Sequence, residues 1–268
     1  MANKIAILGS SGTIGKILAH ELAELKPFSV TRRDCDLTNR QATETFLKEY
    51  SFDTIINCAA VGGKQTLGQF ITDDLHTNLK IFQNLRALNG CYGVLINIGT
   101  GAEFDISQNI SQAKETMLDE RLPRDSYGLS KNIISRQCKD MSNSLTLRVF
   151  GCFHPNEPNF RLLKQFNQSS DNFTLKNRNF SWISAIDFAD IIKHVIQDWK
   201  NYPLDINCAY NTQIDLKEFL SIYSDLHGLN KKIEIVQNAG LDYTCNSDFL
   251  YSCHQMKYGL ENSLRAYR

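Results

Sequence analysis

The stretch "KIAILGSSGTIGKILAHELAEL", residues 4–25, decides the fold. An apolar run at 4–8 leads into three glycines, after which apolar residues recur at three- and four-residue steps as far as residue 25. The run predicts a buried strand, and the later spacing predicts a helix from about residue 13 with one buried face. Strand, glycine turn and helix in this order form the start of a βαβ unit.

The three glycines in that turn, Gly9, Gly12 and Gly15, are spaced three and three. This spacing between a strand and a helix is typical of a dinucleotide-binding turn. Gly9 permits the tight turn, Gly12 lets the backbone approach a pyrophosphate, and Gly15 lets the helix pack on the strand. The helix N-terminus then faces the anion. The alternative is a glycine-rich turn that binds no ligand.

The same alternation continues along the chain. Strands are predicted at 28–31, 53–60, 93–100, 145–150 and 204–211, and helices at 39–50, 73–89, 126–141, 184–199 and 216–228. This order predicts an α/β fold with a Rossmann-like, doubly wound parallel sheet. We expect a dinucleotide-binding domain at 1–150 and a smaller substrate-binding portion at 151–268, with 184–211 returning to the sheet. The tail after about residue 231 shows no clear pattern.

Bulk properties exclude several classes of protein. Lysine plus arginine equals aspartate plus glutamate, 29 each, so no global field attracts nucleic acid or an anionic membrane. No apolar run reaches the length of a membrane span, and the N-terminus lacks a signal-peptide pattern. The 8 cysteines show no C-x-x-C pair and no zinc spacing with histidine, so no metal site is expected. These features favour a reduced, cytoplasmic protein.

The end of the second predicted strand concerns the choice of cofactor. An acidic residue there would bind the ribose of NAD, but the sequence has Arg32 and Arg33. Arginine suits a 2′-phosphate in charge and in its fork of donors. The pair therefore favours NADP(H) over NAD(H), with a solvated basic pair as the alternative. Asp36 is better placed near an adenine.

A candidate catalytic group lies downstream. Tyr127 and Lys131 are four residues apart, so they share one face of a helix. A lysine ammonium beside a phenol would stabilise the phenolate and lower the tyrosine pKa. Thr100 ends the fourth predicted strand, between two glycines, where a hydroxyl can stand at the mouth of a site. The Tyr-x-x-x-Lys pattern alone is weak, and its place after a GxxGxxG turn is what makes it notable.

Together these residues carry a resemblance to a known family. GxxGxxG at 9–15, "DLT" at 36–38, "NCAA" at 57–60, Thr100 and the Tyr127/Lys131 pair resemble an extended short-chain dehydrogenase/reductase. The resemblance covers residues 1–155 and is to the NAD(P)-dependent sugar-nucleotide epimerases, dehydratases and reductases. "AAVGGK" at 59–64 and "TRRD" at 31–34 look most like the GDP-L-fucose synthase subgroup.

The resemblance implies roles for individual residues. Tyr127 would be the acid/base, Lys131 would orient the ribose and tune Tyr127, and Thr100 would bind the substrate oxygen. The implied cofactor-binding residues are Gly9, Ser11, Gly12, Thr13, Ile14, Gly15, Arg32, Arg33, Asp36, Leu37, Cys58, Ala59, Ala60, Asn78, Ile98, Tyr127, Lys131 and Phe150. The candidate substrate-binding residues are Lys64, Gly101, Ala102, Gly151, His154 and Arg178. For Arg161, surface charge is favoured over a role with the substrate diphosphate.

Departures from the family pattern narrow the chemistry. The subgroup has a cysteine two residues after the catalytic hydroxyl, and this chain has Ala102 there. Dehydratases have an acidic pair directly after the threonine, and here Gly101 and Ala102 offer neither acid nor thiol. Glu103 would point to the other face of an extended segment. His154 is the one candidate for an epimerising histidine.

The sequence thus favours an NADP-dependent reductase of a 4-keto, 6-deoxy sugar nucleotide, with Tyr127 as proton donor. A 4-epimerase or a combined epimerase/reductase is the nearest alternative. A non-catalytic, cofactor-sensing regulator on the same fold is an alternative of another class. The expected partner is a nucleotide sugar, and the family commonly forms homodimers through the helices at 73–89 and 126–141.

Overall fold

A computed structural model describes residues 3–63, 68–236 and 240–268. Its strands are β1 (Ile5–Leu8), β2 (Phe28–Val30), β3 (Thr54–Asn57), β4 (Val94–Thr100), β5 (Ile110–Ala113), β6 (Ser144–Val149), β7 (Gly151–Phe153), β8 (Asn172–Leu175), β9 (Asn179–Phe180), β10 (Trp182–Ser184), β11 (Asp205–Cys208), β12 (Ile214–Asp215), β13 (Lys232–Ile235) and β14 (Tyr243–Cys245).

Among the described residues, all six helices predicted from the sequence are present, together with three short helices that the sequence analysis did not predict. They are α1 (Thr13–Glu21), α2 (Arg40–Tyr50), α3 (Thr72–Ala87), α4 (Ser126–Lys139), α5 (Leu162–Gln168), α6 (Ala185–Asp198), α7 (Leu216–Leu226), α8 (Asp248–Cys253) and α9 (Gly259–Ala266). The predicted helix 13–25 is shorter, because a turn of 3₁₀ helix at Ala23–Leu25 replaces its end. Within the described ranges, no helix has the length and apolarity needed to cross a membrane.

The central sheet has six parallel strands in the order β11-β6-β4-β3-β1-β2. The fold is the predicted α/β, Rossmann-like arrangement. β11 pairs with β6, so the chain does return to the sheet after residue 184. The order reverses between β1 and β3, and ligands of open α/β sheets bind beyond the carboxyl ends of strands at such a point.

Helices cover both faces of this sheet, and β1, which lies inside it, is apolar along its whole length. Ile5 and Ile7 of β1 enter one core with helices α1 and α6, whereas Ala6 and Leu8 enter the other with α2, α3 and α4. Side chains alternate between the faces of a strand, so a strand covered on both faces needs a continuous apolar run. The run "KIAIL" is of this type.

Three small sheets lie outside the central sheet, and most of their strands belong to the C-terminal portion. β7 pairs with β10, β8 pairs with β13, and a four-stranded sheet has the order β12-β9-β14-β5. These strands are two to four residues long and come from distant parts of the chain. This arrangement places β14 beside β5 and β9, next to the end of β4.

Candidate active site

The site lies where β4 ends. Thr100 is the last residue of β4, and the chain then forms a 3₁₀ turn over Gly101–Phe104. The α4 helix begins at Ser126, and Asp125 caps it by accepting a hydrogen bond from the Gly128 amide at 2.8 Å. The cap fixes the first turn of α4, which carries Tyr127.

A cavity of about 560 Å³ opens at this edge of the sheet. The predicted catalytic residues Thr100, Tyr127 and Lys131 all line it. So do several predicted cofactor and substrate residues: Ile14, Cys58, Ala60, Ile98, Ala102, Phe150, Gly151 and Arg178. The structure therefore brings residues together from five places: the start of α1, the ends of β3 and β4, the α4 helix and the C-terminal portion.

Lys131 is held rigidly. Its side chain is buried, and its Nζ donates a hydrogen bond of 2.6 Å to the backbone oxygen of Ile98. Burial lowers the pKa of the Lys131 ammonium. The hydrogen bond aims the amine at the carboxyl end of β4, where both Ile98 and Thr100 lie.

The expectation that Lys131 lowers the pKa of Tyr127 is wrong for this structure. Burial, and to a lesser degree the carboxylates of Glu103 and Asp125, raise the pKa of Tyr127 to about 12. Desolvation and like charge both disfavour a phenolate, and they set the direction of this shift. The phenol is therefore neutral at neutral pH, which is the form that can donate a proton.

Thr100 is bound from two directions. Its Oγ1 accepts a hydrogen bond from the Ala102 amide at 3.3 Å and shares another with the Tyr243 hydroxyl. Tyr243 also lines the cavity, and burial raises the pKa of its phenol. Two tyrosines and a threonine thus present hydroxyl groups to the same space.

Beneath Thr100 lies a buried ion-pair network. Glu103 accepts hydrogen bonds from the Thr100 amide at 2.9 Å and from Arg148 Nε at 2.7 Å. Arg148 also forms an ion pair with Asp205 at 2.8 Å, and both its side chain and that of Glu103 are fully buried. The segment after Thr100 is helical rather than extended as predicted, and Glu103 supports the backbone of the site without lining the cavity.

Gly9 and Gly15 let the glycine turn pack closely on its neighbours. Gly9 has a φ of +74°, and a Cβ there would lie 2.6 Å from Ala59 Cα, so only glycine lets the turn approach the segment after β3. At Gly15 a Cβ would meet the backbone of Gly9, which explains the close contact of helix and turn. α1 begins at Thr13 with its amides at the carboxyl edge of the sheet.

The remaining predicted cofactor residues lie outside the cavity lining. Asn78 is buried and tethers the segment after β3: its Oδ1 accepts from the Val61 amide at 2.7 Å, and its Nδ2 donates to Ser130 Oγ at 3.0 Å. Leu37 is buried, and its backbone oxygen accepts from Asn84. The others outside the lining are Gly9, Ser11, Gly12, Thr13, Gly15, Arg32, Arg33, Asp36 and Ala59.

Arg32 and Arg33 stand exposed just after β2. Arg32 lies 3.6 Å from Asp36, with 79% of its side chain exposed. Asp36 itself accepts hydrogen bonds from the backbone and side chain of Thr38, which lowers the pKa of its carboxyl. Neither arginine is buried in the protein, so both guanidinium groups are accessible to a ligand at the β2 end.

Two predicted substrate residues lie outside the cavity lining. His154 is buried away from the cavity, with its Nε2 2.9 Å from the Glu21 carboxylate of α1. Gly101 is buried behind the lining, where a Cβ would meet Phe150 and Tyr243. Lys64 lies outside the described residues.

Arg161 is not merely surface charge. It lines the cavity, its Nε lies 3.4 Å from Glu157, and its guanidinium also donates to the Cys152 backbone oxygen. Arg178 places its guanidinium 4.9 Å from the Phe180 ring centre, and burial lowers the pKa of Arg178. Two cations thus stand in the cavity wall.

Several residues that line the cavity were not identified from the sequence. Tyr243, Asp242, Glu157, Phe180 and Trp182 come from segments far from the glycine turn in sequence. No motif marks them. Only the polar "LDYTC" strand in the unpatterned tail could have drawn attention to Tyr243.

Comparison with known proteins gives the class. The model of the NAD dependent epimerase/dehydratase family matches residues 5–209, which is most of the chain. The chain belongs to that family of enzymes. A search of curated proteins gave no significant match.

Solved structures share the fold over nearly the whole chain. GDP-mannoheptose C4 reductase from Campylobacter jejuni, with NADP bound, is 19% identical with a TM-score of 0.78, covering 99% of this chain and 97% of that one. A dTDP-4-dehydrorhamnose reductase from Clostridium acetobutylicum is 19% identical with a TM-score of 0.78, covering 98% of each chain. A GDP-L-fucose synthetase from Naegleria fowleri bound to NADP is 15% identical with a TM-score of 0.76, covering 99% and 91%.

Proposed function

We propose that the protein is an NADP-dependent reductase of a 4-keto, 6-deoxy sugar nucleotide. The observation that carries the proposal is the meeting of Thr100, Tyr127 and Lys131 in one cavity that also has Arg161 and Arg178 in its wall. The solved structures similar to this chain include reductases named for sugar-nucleotide substrates, which supports the substrate class.

Each residue has a role that follows from its placement. The nicotinamide cofactor, when bound, supplies a hydride. Thr100 donates a hydrogen bond to the keto oxygen, where negative charge develops. Tyr127, kept neutral by burial, gives that oxygen its proton. Lys131, fixed on the Ile98 oxygen, orients the ribose.

The two arginines suit the diphosphate of a nucleotide sugar. A guanidinium can bind phosphate oxygens through two donors at once. The aromatic residues Phe150, Phe180 and Trp182 of the same wall offer faces for a sugar or a base. A small, uncharged ketone would need neither feature.

The described cavity lining offers few carboxylates for proton transfer at carbons beside the ketone. The carboxylates among the described lining residues are Glu157 and Asp242. Glu157 accepts from the Tyr267 hydroxyl at 2.9 Å, and Asp242 accepts from the Asn179 amide at 2.9 Å. With His154 bound to Glu21, simple reduction is favoured over combined epimerisation and reduction.

A panel of 4-keto sugar nucleotides with NADPH tests the proposal. We expect one NADPH consumed per ketone reduced, and no solvent deuterium at the carbons flanking the ketone. Tightly bound NAD in the purified protein, with no net NADPH consumption on the panel, would instead indicate a 4-epimerase. Full biological activity of a Tyr127→Phe variant would indicate the non-catalytic regulator.

The preference for NADP rests on Arg32 and Arg33, which are exposed at the end of β2. We expect Arg33→Ala to reduce the NADP:NAD affinity ratio about tenfold, which corresponds to ~1.4 kcal/mol. Titration of both cofactors by tryptophan fluorescence measures the ratio, with Arg40→Ala on the exposed start of α2 as the matched control. An unchanged ratio in Arg33→Ala would remove the assignment to NADP.

We also propose a homodimer formed through α3 and α4. These helices pack on each other along one face of the sheet, which makes a continuous two-helix surface. Light scattering behind a sizing column measures the mass in solution. A monomer mass at micromolar concentration would contradict the proposal.

A further inference from the structure

A second cluster of chemically active side chains lies away from the cavity, where α6 meets the segment after α8. Asp190 and His194 are one turn apart on α6, and His254 follows α8 directly. One potential ligand atom from each of the three lies within 4.8 Å of the others. None of the three lines the cavity.

His254 is the unusual member. Only 3% of its side chain is exposed, and its Nε2 has no hydrogen-bond partner among the described residues. Buried polar atoms of native proteins are nearly always paired, and an unpaired one calls for an explanation such as a bound ion. The nitrogen is directed at Asp190, 3.5 Å from Oδ2, which is too long for a good hydrogen bond.

Two of the three distances between these ligand atoms match those expected around a tetrahedral metal. Ligand atoms about 2.0–2.2 Å from a tetrahedral zinc ion lie about 3.4 Å from one another. The Asp190 Oδ2 atom is 3.5 Å from His254 Nε2 and 3.6 Å from His194 Nδ1. The two imidazole rings are 4.9 Å apart and close to perpendicular, so both can approach one point.

We propose that Asp190, His194 and His254 bind a zinc ion, with water as the fourth ligand. Two imidazoles and a carboxylate are ligands that zinc prefers. His194 Nδ1 is now 2.8 Å from the Asp190 backbone oxygen, and coordination replaces that hydrogen bond. Because 54% of the His194 side chain is exposed, its ring can adjust.

The ion would act as a structural clip. It joins α6, which packs under the central sheet, to the chain segment that carries β14 and α8. That segment supplies Tyr243 to the cavity. The zinc site is independent of the proposed reaction, since it contacts neither the cavity nor the glycine turn.

A comparable cluster at His20, Glu21 and His154 carries no such proposal. There the Glu21 Oε1 atom already lies 2.8 Å from His20 Nδ1 and 2.9 Å from His154 Nε2. These are ordinary hydrogen-bond lengths, so this cluster is satisfied without an ion. His20 therefore provides a control variant for the proposed zinc site.

The test uses the full chain without a histidine tag, stripped with a chelator and then dialysed against zinc. We expect one zinc per chain by elemental analysis and visible absorption bands typical of a four-coordinate site when cobalt replaces zinc. Zinc at a hundredfold excess over its dissociation constant should raise the melting temperature on the order of 5–10 °C.

Variants assign the site. His254→Gln and His194→Gln should each lose the bound metal and the thermal shift, and the exposed His194 keeps the test valid if His254→Gln does not fold. His76→Gln, an exposed histidine on α3, and His20→Gln should keep both. A shift retained in His194→Gln, loss of the shift in His20→Gln, or less than a tenth of a zinc per chain would each overturn the proposal.

Discussion

We propose that one wall of the cavity holds the cofactor and the other the substrate, and these two walls are built in different ways. The cofactor wall comes from strand ends of the central sheet and their first turns, and it holds Ile14, Cys58, Ala60 and Ile98. The substrate wall comes from short strands and loops after residue 150, which contribute charged and aromatic side chains. The β/α units of the central sheet place the residues of the first wall. The large side chains of the second wall are placed by short strands that pair across long distances in the sequence.

Under the proposed function, this contrast would place the specificity for the substrate in the wall built after residue 150. A regular β/α unit can hold a common cofactor because backbone amides and glycines do the binding. The substrate wall can vary because its short strands are not needed for the central sheet. Changes to the two walls should therefore have separable effects on chemistry, stability and substrate binding.

The largest effect is expected at the junction of the walls. Tyr127→Phe removes the proposed proton donor and should lower kcat for ketone reduction by about 10²–10⁴-fold. NADPH affinity should change little, because the ring remains. Steady-state kinetics and cofactor titration measure the two effects, with the exposed Tyr258→Phe as control. A loss of less than tenfold in kcat would show that Tyr127 is not the proton donor.

Removing the buried cation beneath the junction of the walls should destabilise the folded protein strongly. Arg148→Met leaves Glu103 and Asp205 buried without their cation, and such a loss costs about 3–5 kcal/mol of folding free energy. Urea unfolding measures it, and Lys48→Met in the exposed Glu44–Lys48 pair of α2 should shift the midpoint little. Equal midpoint shifts in the two variants would show that the buried network does not hold the walls together.

A smaller effect is expected on the substrate wall alone. Arg178→Ala should raise KM for the sugar nucleotide about 10–100-fold, because a charge-assisted hydrogen bond contributes about 1.5–3 kcal/mol. kcat and NADPH affinity should stay near their original values. Arg121→Ala, exposed and outside the cavity lining, is the matched control. A change in NADPH affinity instead would place Arg178 on the cofactor side.

The smallest effect expected is on the pH dependence of kcat, which should not change through Tyr127 near neutral pH. Since burial raises the pKa of Tyr127 to about 12, its neutral, proton-donating form persists from acid to alkaline pH and is lost only as pH rises through that value. The kcat of reduction should therefore show no fall assignable to Tyr127 between about pH 6 and 10. A fall near pH 7 that disappears in Tyr127→Phe would mean that Lys131 lowers the tyrosine pKa after all.

The difference between the walls also sets what the sequence could predict. The glycine spacing at 9–15 and the apolar runs predict the central sheet, because those signals are local. Tyr243 could not be predicted, since it reaches Thr100 only through the pairing of β14 with β5 and β9. His154 was misplaced for the same reason: its loop turns toward α1, where Glu21 binds it.

The most direct test of the proposed reaction follows the hydride itself. The protein is incubated with NADPH carrying deuterium at the transferable position and a 4-keto sugar nucleotide, and the product is examined by NMR. We expect deuterium on C4 of the sugar and one NADPH consumed per product, with both abolished or slowed at least a hundredfold in Tyr127→Phe. A product epimerised at C4 with no deuterium and no NADPH consumed would contradict the proposed reaction.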